Sequence, residues 1–177
     1  MRPRLEAHLK LMTEPQQVAC RRFLNTHKEL LKTAAGSTNN HQSWPGGYLG
    51  HVEEVLSLAL AYYQTLASTR ELPFLLEDAM FVLFWHDCEK PWRVMGKPGE
   101  YHSAFDKELI FDFQMNKMWE HGADKLLTPE MENALKYVEG EKGDYTQGER
   151  TMGELAGFCH ICDVTSARIF HDYPKDR

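Results

Sequence analysis

The sequence predicts an all-α fold, a compact single-domain bundle of about six helices. Apolar residues recur at spacings of three and four along most of the 177-residue chain, and this spacing places side chains on one face of an α-helix. No segment shows the sustained alternation of apolar and polar residues that is typical of a half-buried strand. Capping residues and glycine- and proline-rich stretches divide the chain into segments of helix length. We therefore expect one domain over residues 1–177.

Three helices are predicted in the first half of the chain. They span about residues 14–35, 48–68 and 73–87. Thr13 is a suitable N-cap for the first helix, Pro15 fits its first turn and Gly36 fits its C-terminal end. Glycine, asparagine and serine make residues 36–47 a loop, and two prolines and two glycines make residues 88–100 another.

Three more helices are predicted in the second half. The fourth and fifth span about residues 104–120 and 129–139, and the sixth extends from a capping box at Thr151–Glu154 to about Ile169. Ser103–Asp106 resembles a further capping box, with Asp as a weaker third partner than Glu.

Two motifs on these helices predict packing rather than chemistry. Cys159 and Cys162 lie inside a predicted helix, and the other two cysteines do not supply a second ligand pair for zinc, so core packing is expected. An apolar stripe in the fourth helix predicts either core packing or a self-association face, which leaves a homo-oligomer open. The stripe consists of Phe111, Met115, Met118 and Trp119.

The composition, 42% hydrophobic and 26% charged, is that of an ordinary globular protein. A net charge of -6 argues against an extended nucleic-acid surface, because such surfaces depend on clustered Lys and Arg. No apolar run approaches the roughly 20 residues that cross a bilayer, and the N-terminal residues lack the apolar centre of a signal peptide. We expect a cytoplasmic protein with reduced cysteines and no membrane partner.

Four residues on three predicted helices form a candidate metal-ligand set. These residues are His51, His86, Asp87 and Asp163. Imidazole and carboxylate ligands together suit Mn, Co, Fe, Ni, Zn or Mg, and an open position on such an ion can hold a water and lower its pKa. A buried His-Asp pair that only stiffens the core would explain His86 and Asp87. It would not explain Asp163 on a separate apolar helix, where a carboxylate without a positive partner is costly.

The order His, His-Asp, Asp resembles that of the HD superfamily of metal-dependent phosphohydrolases. The segment from His41 to His51 is similar to the family's glycine-containing lead-in, His86–Pro91 to its His-Asp-x-x-Lys motif, and Cys159–Asp163 to the helix that delivers the last ligand. The resemblance covers residues 41–170. It implies a helical domain of the small stand-alone nucleotide-hydrolase type, with one divalent ion and a small phosphorylated substrate.

Catalytic roles fall on residues beside this expected ion. Asp163 would complete the ligand set and orient or deprotonate the attacking water, and Asp87 would bridge a second ion if one binds. Lys90, three residues after Asp87, could hold a phosphate oxygen or neutralise developing charge. The resemblance implies that His41 lies near the phosphate, where it could act as a general acid. His102 and His121 lie between the motifs, although neither matches a second-metal motif.

Substrate binding is predicted for Lys90 and for four further residues. Arg93 and Arg168 are cations close in sequence to the motifs, and phosphoryl transfer needs such charges. Trp44 and Tyr48 in the lead-in segment could stack on a base, or could equally pack on the first helix.

The function predicted from these residues and the resemblance is metal-dependent hydrolysis of a nucleotide by activated water. The bond is a phosphomonoester, a triphosphate or a phosphodiester, as in a dNTP triphosphohydrolase or a cyclic-nucleotide phosphodiesterase. A second hypothesis is a catalytically weak HD domain that binds or senses a nucleotide. A third is a helical structural protein whose His and Asp residues are incidental.

Overall fold

The structure, a computed structural model, describes residues 2–37, 42–95, 107–141 and 144–170, with backbone alone at 93–95 and 107–108. Within these ranges it is all-α, which confirms the predicted fold class, and no strand occurs there. The helices are α1 Pro3–Leu9, α2 Glu14–Thr26, α3 Lys28–Thr33, α4 Gly47–Ala67, α5 Leu76–Trp85, α6 Lys90–Met95, α7 Lys107–His121, α8 Pro129–Tyr137 and α9 Glu154–Ile169, with a 3₁₀ turn at Asp124–Leu126. None of the described helices has the length and apolarity needed to cross a membrane.

Three local differences make the described helices more numerous than the six predicted. The helix predicted over 14–35 is interrupted at His27, whose φ of -105° and ψ of 19° are not helical, so α2 and α3 are separate. Helix α1 was not predicted, and it buries Leu5 and Leu9. Helix α6 occupies part of the loop predicted over 88–100, because a proline is tolerated in the first turn of a helix.

Helix α5 lies at the centre of the fold. Every residue from Ala79 to Trp85 is buried, and α4, α8 and α9 pack around the helix. A helix that is apolar on all sides is stable only when other elements surround it. The residues directly after it, His86 and Asp87, are therefore delivered into the interior, where both are buried.

The two packing motifs have different outcomes. All four cysteines are unpaired and buried, which confirms core packing for Cys159 and Cys162. In the stripe on α7, Met118 is fully buried, whereas Trp119 is 68% exposed. Trp119 therefore does not contribute to the core.

The ends of the helices show where capping predictions succeed and fail. Thr13 is the N-cap of α2, as predicted, and its amide donates to the Gln16 side chain at 3.0 Å. The capping box predicted at Thr151–Glu154 is wrong, because α9 begins at Glu154 with Gly153 as N-cap. The Gly153 amide instead donates to the Asn133 side chain on α8 at 2.8 Å. A tertiary contact thus replaces the local cap of α9. The other predicted capping box, Ser103–Asp106, lies outside the described residues.

The turn before α4 requires glycine at two positions. Gly46 has a φ of 78°, a conformation that L side chains rarely adopt. At Gly47 an added Cβ would lie 1.9 Å from the carbonyl oxygen of Gln42. That carbonyl also accepts a hydrogen bond from the Gly36 amide at 2.8 Å, so it cannot move freely. The turn fixes where α4, and with it His51, enters the core.

We predict that Gly47→Ala destabilises the protein although alanine is the better helix former. The methyl group overlaps backbone, and relieving such an overlap costs about 1–3 kcal/mol or more. Gly148→Ala is the control, because no atom lies within 4 Å of the Cβ added there. Thermal unfolding of the two variants should show a lower Tm for Gly47→Ala alone, and equal Tm values would contradict the tight turn.

Candidate metal centre

The four predicted ligands converge at one point in the interior. His51 is on α4, His86 and Asp87 directly follow α5, and Asp163 is on α9. The Nε2 atom of His51 lies 3.3 Å from Nε2 of His86 and 3.2 Å from a carboxylate oxygen of each aspartate. His86 Nε2 lies 3.2 Å from Asp87 and 3.5 Å from Asp163. These atoms belong to a group that could hold a metal ion.

The separations between the ligand atoms fit a single cation. With metal–ligand distances of about 2.1 Å, neighbouring ligand atoms lie about 3.0 Å apart in an octahedral site and about 3.4 Å apart in a tetrahedral site. The observed separations of 3.2 to 3.5 Å match this range. The donor set of two nitrogens and at least two oxygens suits borderline and harder divalent ions.

Hydrogen bonds fix the orientation of both imidazoles. His86 Nδ1 donates to the Leu83 carbonyl at 2.7 Å, which leaves Nε2 as the nitrogen that can bind a proton or a cation. His51 Nδ1 lies 3.0 Å from the Ser166 hydroxyl, which itself donates to a Glu54 carboxylate at 2.6 Å. The hydroxyl proton is thus engaged with Glu54, and His51 donates from Nδ1. The Nε2 atoms of the two histidines therefore face each other beside two carboxylates. Only a cation or a proton among these four electron-donating groups provides a partner for them.

Sequence reasoning missed the residues that support His51. Glu54 accepts hydrogen bonds from Ser166 and from the Gln42 side chain, both at 2.6 Å. Glu54 and Ser166 each follow a predicted ligand by three residues, and this spacing places them on the same helix face as His51 and Asp163. That spacing is the signal that could have identified them. Through Gln42 the same network anchors the turn that precedes α4.

The two carboxylates and the His86 imidazole stabilise one another's charged forms. Burial raises the pKa of Asp163, but hydrogen bonds from His51 and His86 outweigh it and hold that pKa well below its usual value. Burial lowers the pKa of His86, but Asp87 and Asp163 outweigh it and raise that pKa well above its usual value. A proton on His86 and a divalent cation would neutralise the same two carboxylates. Proton binding and metal binding at the centre therefore compete.

Lys90 lies directly beside the ligands. It is buried, and its ammonium forms an ion pair with the Asp87 carboxylate. Burial lowers the pKa of Lys90, but Asp87 and Asp163 outweigh it and raise that pKa. Glu89, to which sequence reasoning assigned no role, is also buried and accepts a hydrogen bond from Gln114 at 3.1 Å. Gln114 donates as well to the His86 carbonyl, and thereby ties α7 to the metal centre.

The predicted substrate-binding residues are placed less favourably. Tyr48 is 1% exposed and packs in the core, so it cannot stack on a base from this position. Trp44 is partly exposed at the turn before α4, and Arg168 is exposed near the end of α9. His41 and the side chain of Arg93 lie outside the described residues.

The histidines considered for a second ion do not extend this centre. His102 lies outside the described residues. His121 belongs to a separate group with His27 and Glu120. Any second ion held by His121 would therefore be bound by a different group of ligands from the one that contains Asp87.

A cleft of about 360 Å³ opens beside His86, between α7 and the end of α8. Its lining combines apolar and polar side chains, and its volume lies within the range of small-molecule sites. The lining residues besides His86 are Ile110, Phe111, Asp112, Gln114, Leu135, Lys136, Val138 and Glu139. The centre thus has an adjacent space in which a small molecule could bind.

We predict that Ser166→Ala lowers the affinity for a divalent ion by about 10–100-fold, the usual cost of losing an outer hydrogen-bond partner of a metal ligand. The variant removes the hydroxyl that holds His51. Competition titration against a chromogenic chelator measures the affinity. Ser57→Ala is the control, because the hydroxyl of Ser57, on α4, donates to the Glu53 carbonyl and lies beside His8 rather than His51. Equal affinities in the two variants would contradict the assigned role of Ser166.

We also predict that the rise in Tm on adding Mn²⁺ increases with pH. Because the folded-state pKa of His86 is raised, its proton stabilises the metal-free protein fully below the ordinary imidazole pKa. That stabilisation is lost as pH rises through the raised value, where the ion no longer competes with the proton. Differential scanning calorimetry with and without Mn²⁺ from pH 5.5 to 8.5 measures the shift. A rise in Tm on adding Mn²⁺ that is already independent of pH below about 6.5, the ordinary pKa of imidazole, would contradict the prediction.

No protein-family model, curated protein or solved structure matches this chain. What the centre can do is therefore inferred from its own geometry.

Proposed function

We propose that this protein is a metal-dependent phosphohydrolase of the HD type that acts on a small phosphorylated substrate, a nucleotide in first place. The observation that carries the proposal is the convergence of His51, His86, Asp87 and Asp163 from three helices, with Lys90 beside them. A divalent ion there would supply Lewis acidity, which polarises a phosphoryl oxygen and lowers the pKa of water. The all-α fold is the one that the HD resemblance implies.

Asp163 faces the open side of the centre. Its side chain is 16% exposed, whereas those of His51 and His86 are 0% and that of Asp87 is 3%. Attacking water reaches the ligands most readily from this side. Because its pKa is held well below the usual carboxyl value, Asp163 is a weak base and is better suited to orienting the water than to removing its proton.

Lys90 supplies the positive charge that phosphoryl transfer needs. Its raised pKa keeps the ammonium charged at neutral pH, although the side chain is only 10% exposed. A charge in a poorly solvated position acts more strongly on a phosphate oxygen than one in water. Its ion pair with Asp87 holds it next to the ligands before any substrate arrives.

The cleft beside His86 suits the organic part of the substrate. Phe111 and Leu135 offer apolar surface, and Gln114 and Asp112 offer hydrogen-bonding groups. A nucleoside has both apolar faces and polar edges, and sites for such ligands combine these two kinds of lining.

A panel of nucleotides tests the proposal. Nucleoside monophosphates, dNTPs and cyclic or linear phosphodiesters would be incubated with Mn²⁺, Co²⁺, Ni²⁺, Mg²⁺ or Zn²⁺, and the products resolved by chromatography. We expect metal-dependent turnover of at least one substrate class. Binding of a nucleotide without any product would instead favour a sensor.

Asp87→Asn should reduce that turnover by more than about 100-fold, beyond the loss typical of an outer-shell partner. The matched control is Asp78→Asn, which makes the same change near the opposite end of α5. Circular dichroism verifies that both variants fold. Full turnover by folded Asp87→Asn would contradict the assignment of the active centre.

A further inference from the structure

A second cluster of metal-ligating side chains lies apart from the proposed active centre. The Nε2 atoms of His27 and His121 are 3.1 Å apart, and a carboxylate oxygen of Glu120 lies within 4.8 Å of a ring nitrogen of each histidine. The aromatic rings of Phe23 and Trp85 pack against His121, at centroid distances of 5.5 and 6.3 Å. None of these residues belongs to the group formed by the four ligands of the first centre.

The backbone brings the two imidazoles together at helix ends. His27 follows the last residue of α2, and His121 is the last residue of α7, before Gly122 with a φ of 73°. Helix C-termini carry a partial negative charge from their unpaired carbonyls, which favours a cation nearby. His121 lies at such an end, and the packing of α2 against α7 brings His27 to it.

Aromatic neighbours hold the imidazoles in their converging orientation. The ring of His27 packs edge-on against Phe23 at 5.2 Å and against Trp92 at 4.8 Å. His121 packs edge-on against Phe23. Rings held in this way lose little rotational freedom when an ion binds, so the site is largely preorganised.

The carboxylate of the cluster has a fixed position. Lys117 donates to both carboxylate oxygens of Glu120, at 2.8 and 2.9 Å, and so holds this carboxylate in place. The 3.1 Å separation also fits a hydrogen bond between the two imidazoles. Such a bond would not explain why the Glu120 carboxylate lies close to both rings.

We propose that His27, His121 and Glu120 form a second binding site for a borderline divalent ion, Zn²⁺ in first place, that links α2 to α7. Two imidazoles and one carboxylate make a donor set that Zn²⁺ uses in three-ligand sites with a fourth position open to water. This site is richer in imidazole than the first centre and therefore favours zinc, whereas carboxylates also suit Mn²⁺ and Mg²⁺. Helix α7 also lines the cleft through Phe111 and Gln114, so ion binding would stiffen one of its walls.

Zinc stoichiometry in the full chain tests this site independently of the first. Equilibrium dialysis against Zn²⁺, followed by atomic emission analysis, would compare Asp87→Asn with the double variant Asp87→Asn/His27→Gln. We expect the double variant to bind one ion fewer per chain. An equal number of ions in both would overturn the second site, whether or not the first centre binds metal or hydrolyses nucleotides.

Glu120→Gln gives a second test that does not depend on a buried substitution, because Glu120 is exposed. In the Asp87→Asn background it should weaken zinc binding by more than about tenfold. Glu154→Gln is the control, since Glu154 is an exposed glutamate of α9, not of α7, and it too forms an ion pair, with Arg150. Unchanged zinc affinity in Glu120→Gln would overturn the assignment of Glu120 as a ligand.

Discussion

The imidazole nitrogens of His51 and His86 face each other at 3.3 Å in the protein interior, with two aspartate oxygens against them. Four acceptors this close repel one another unless positive charge lies among them. Lys90 supplies one charge from the side, against Asp87. The remaining charge must come from a proton or a metal ion, and the ligand separations are those of a metal site.

The fold serves this arrangement in two ways. Every residue of α5 from Ala79 to Trp85 is buried, and His86 and Asp87 follow directly, so the helix carries this pair into the core. Helices α4 and α9 pack against each other and against α5, and each contributes one further ligand. The chain of hydrogen bonds from His51 through Ser166 to Glu54 and Gln42 then connects the centre to the glycine turn that starts α4. A change in that turn is therefore transmitted to a ligand.

Much of this architecture could be predicted from the sequence because it depends on local patterns. Apolar periodicity predicted the helical fold and assigned His51, the His86–Asp87 pair and Asp163 to three helices. That these helices bring the four residues together was expected from the resemblance to the HD pattern. The break at His27 was missed because apolar spacing continues through it. The cap of α9 was missed because its acceptor, Asn133, comes from another helix. The pairing of His27 with His121 joins residues 94 positions apart, and no local pattern reveals it.

The central claim is that one divalent ion binds among His51, His86, Asp87 and Asp163. Anomalous diffraction from crystals of the Mn²⁺-loaded protein tests it most directly, because the peak locates the ion. We expect a peak about 2.0–2.2 Å from Nε2 of both histidines and from an oxygen of both aspartates. A map without a peak there, or with the Asp163 carboxylate turned away from the two imidazoles, would contradict the account.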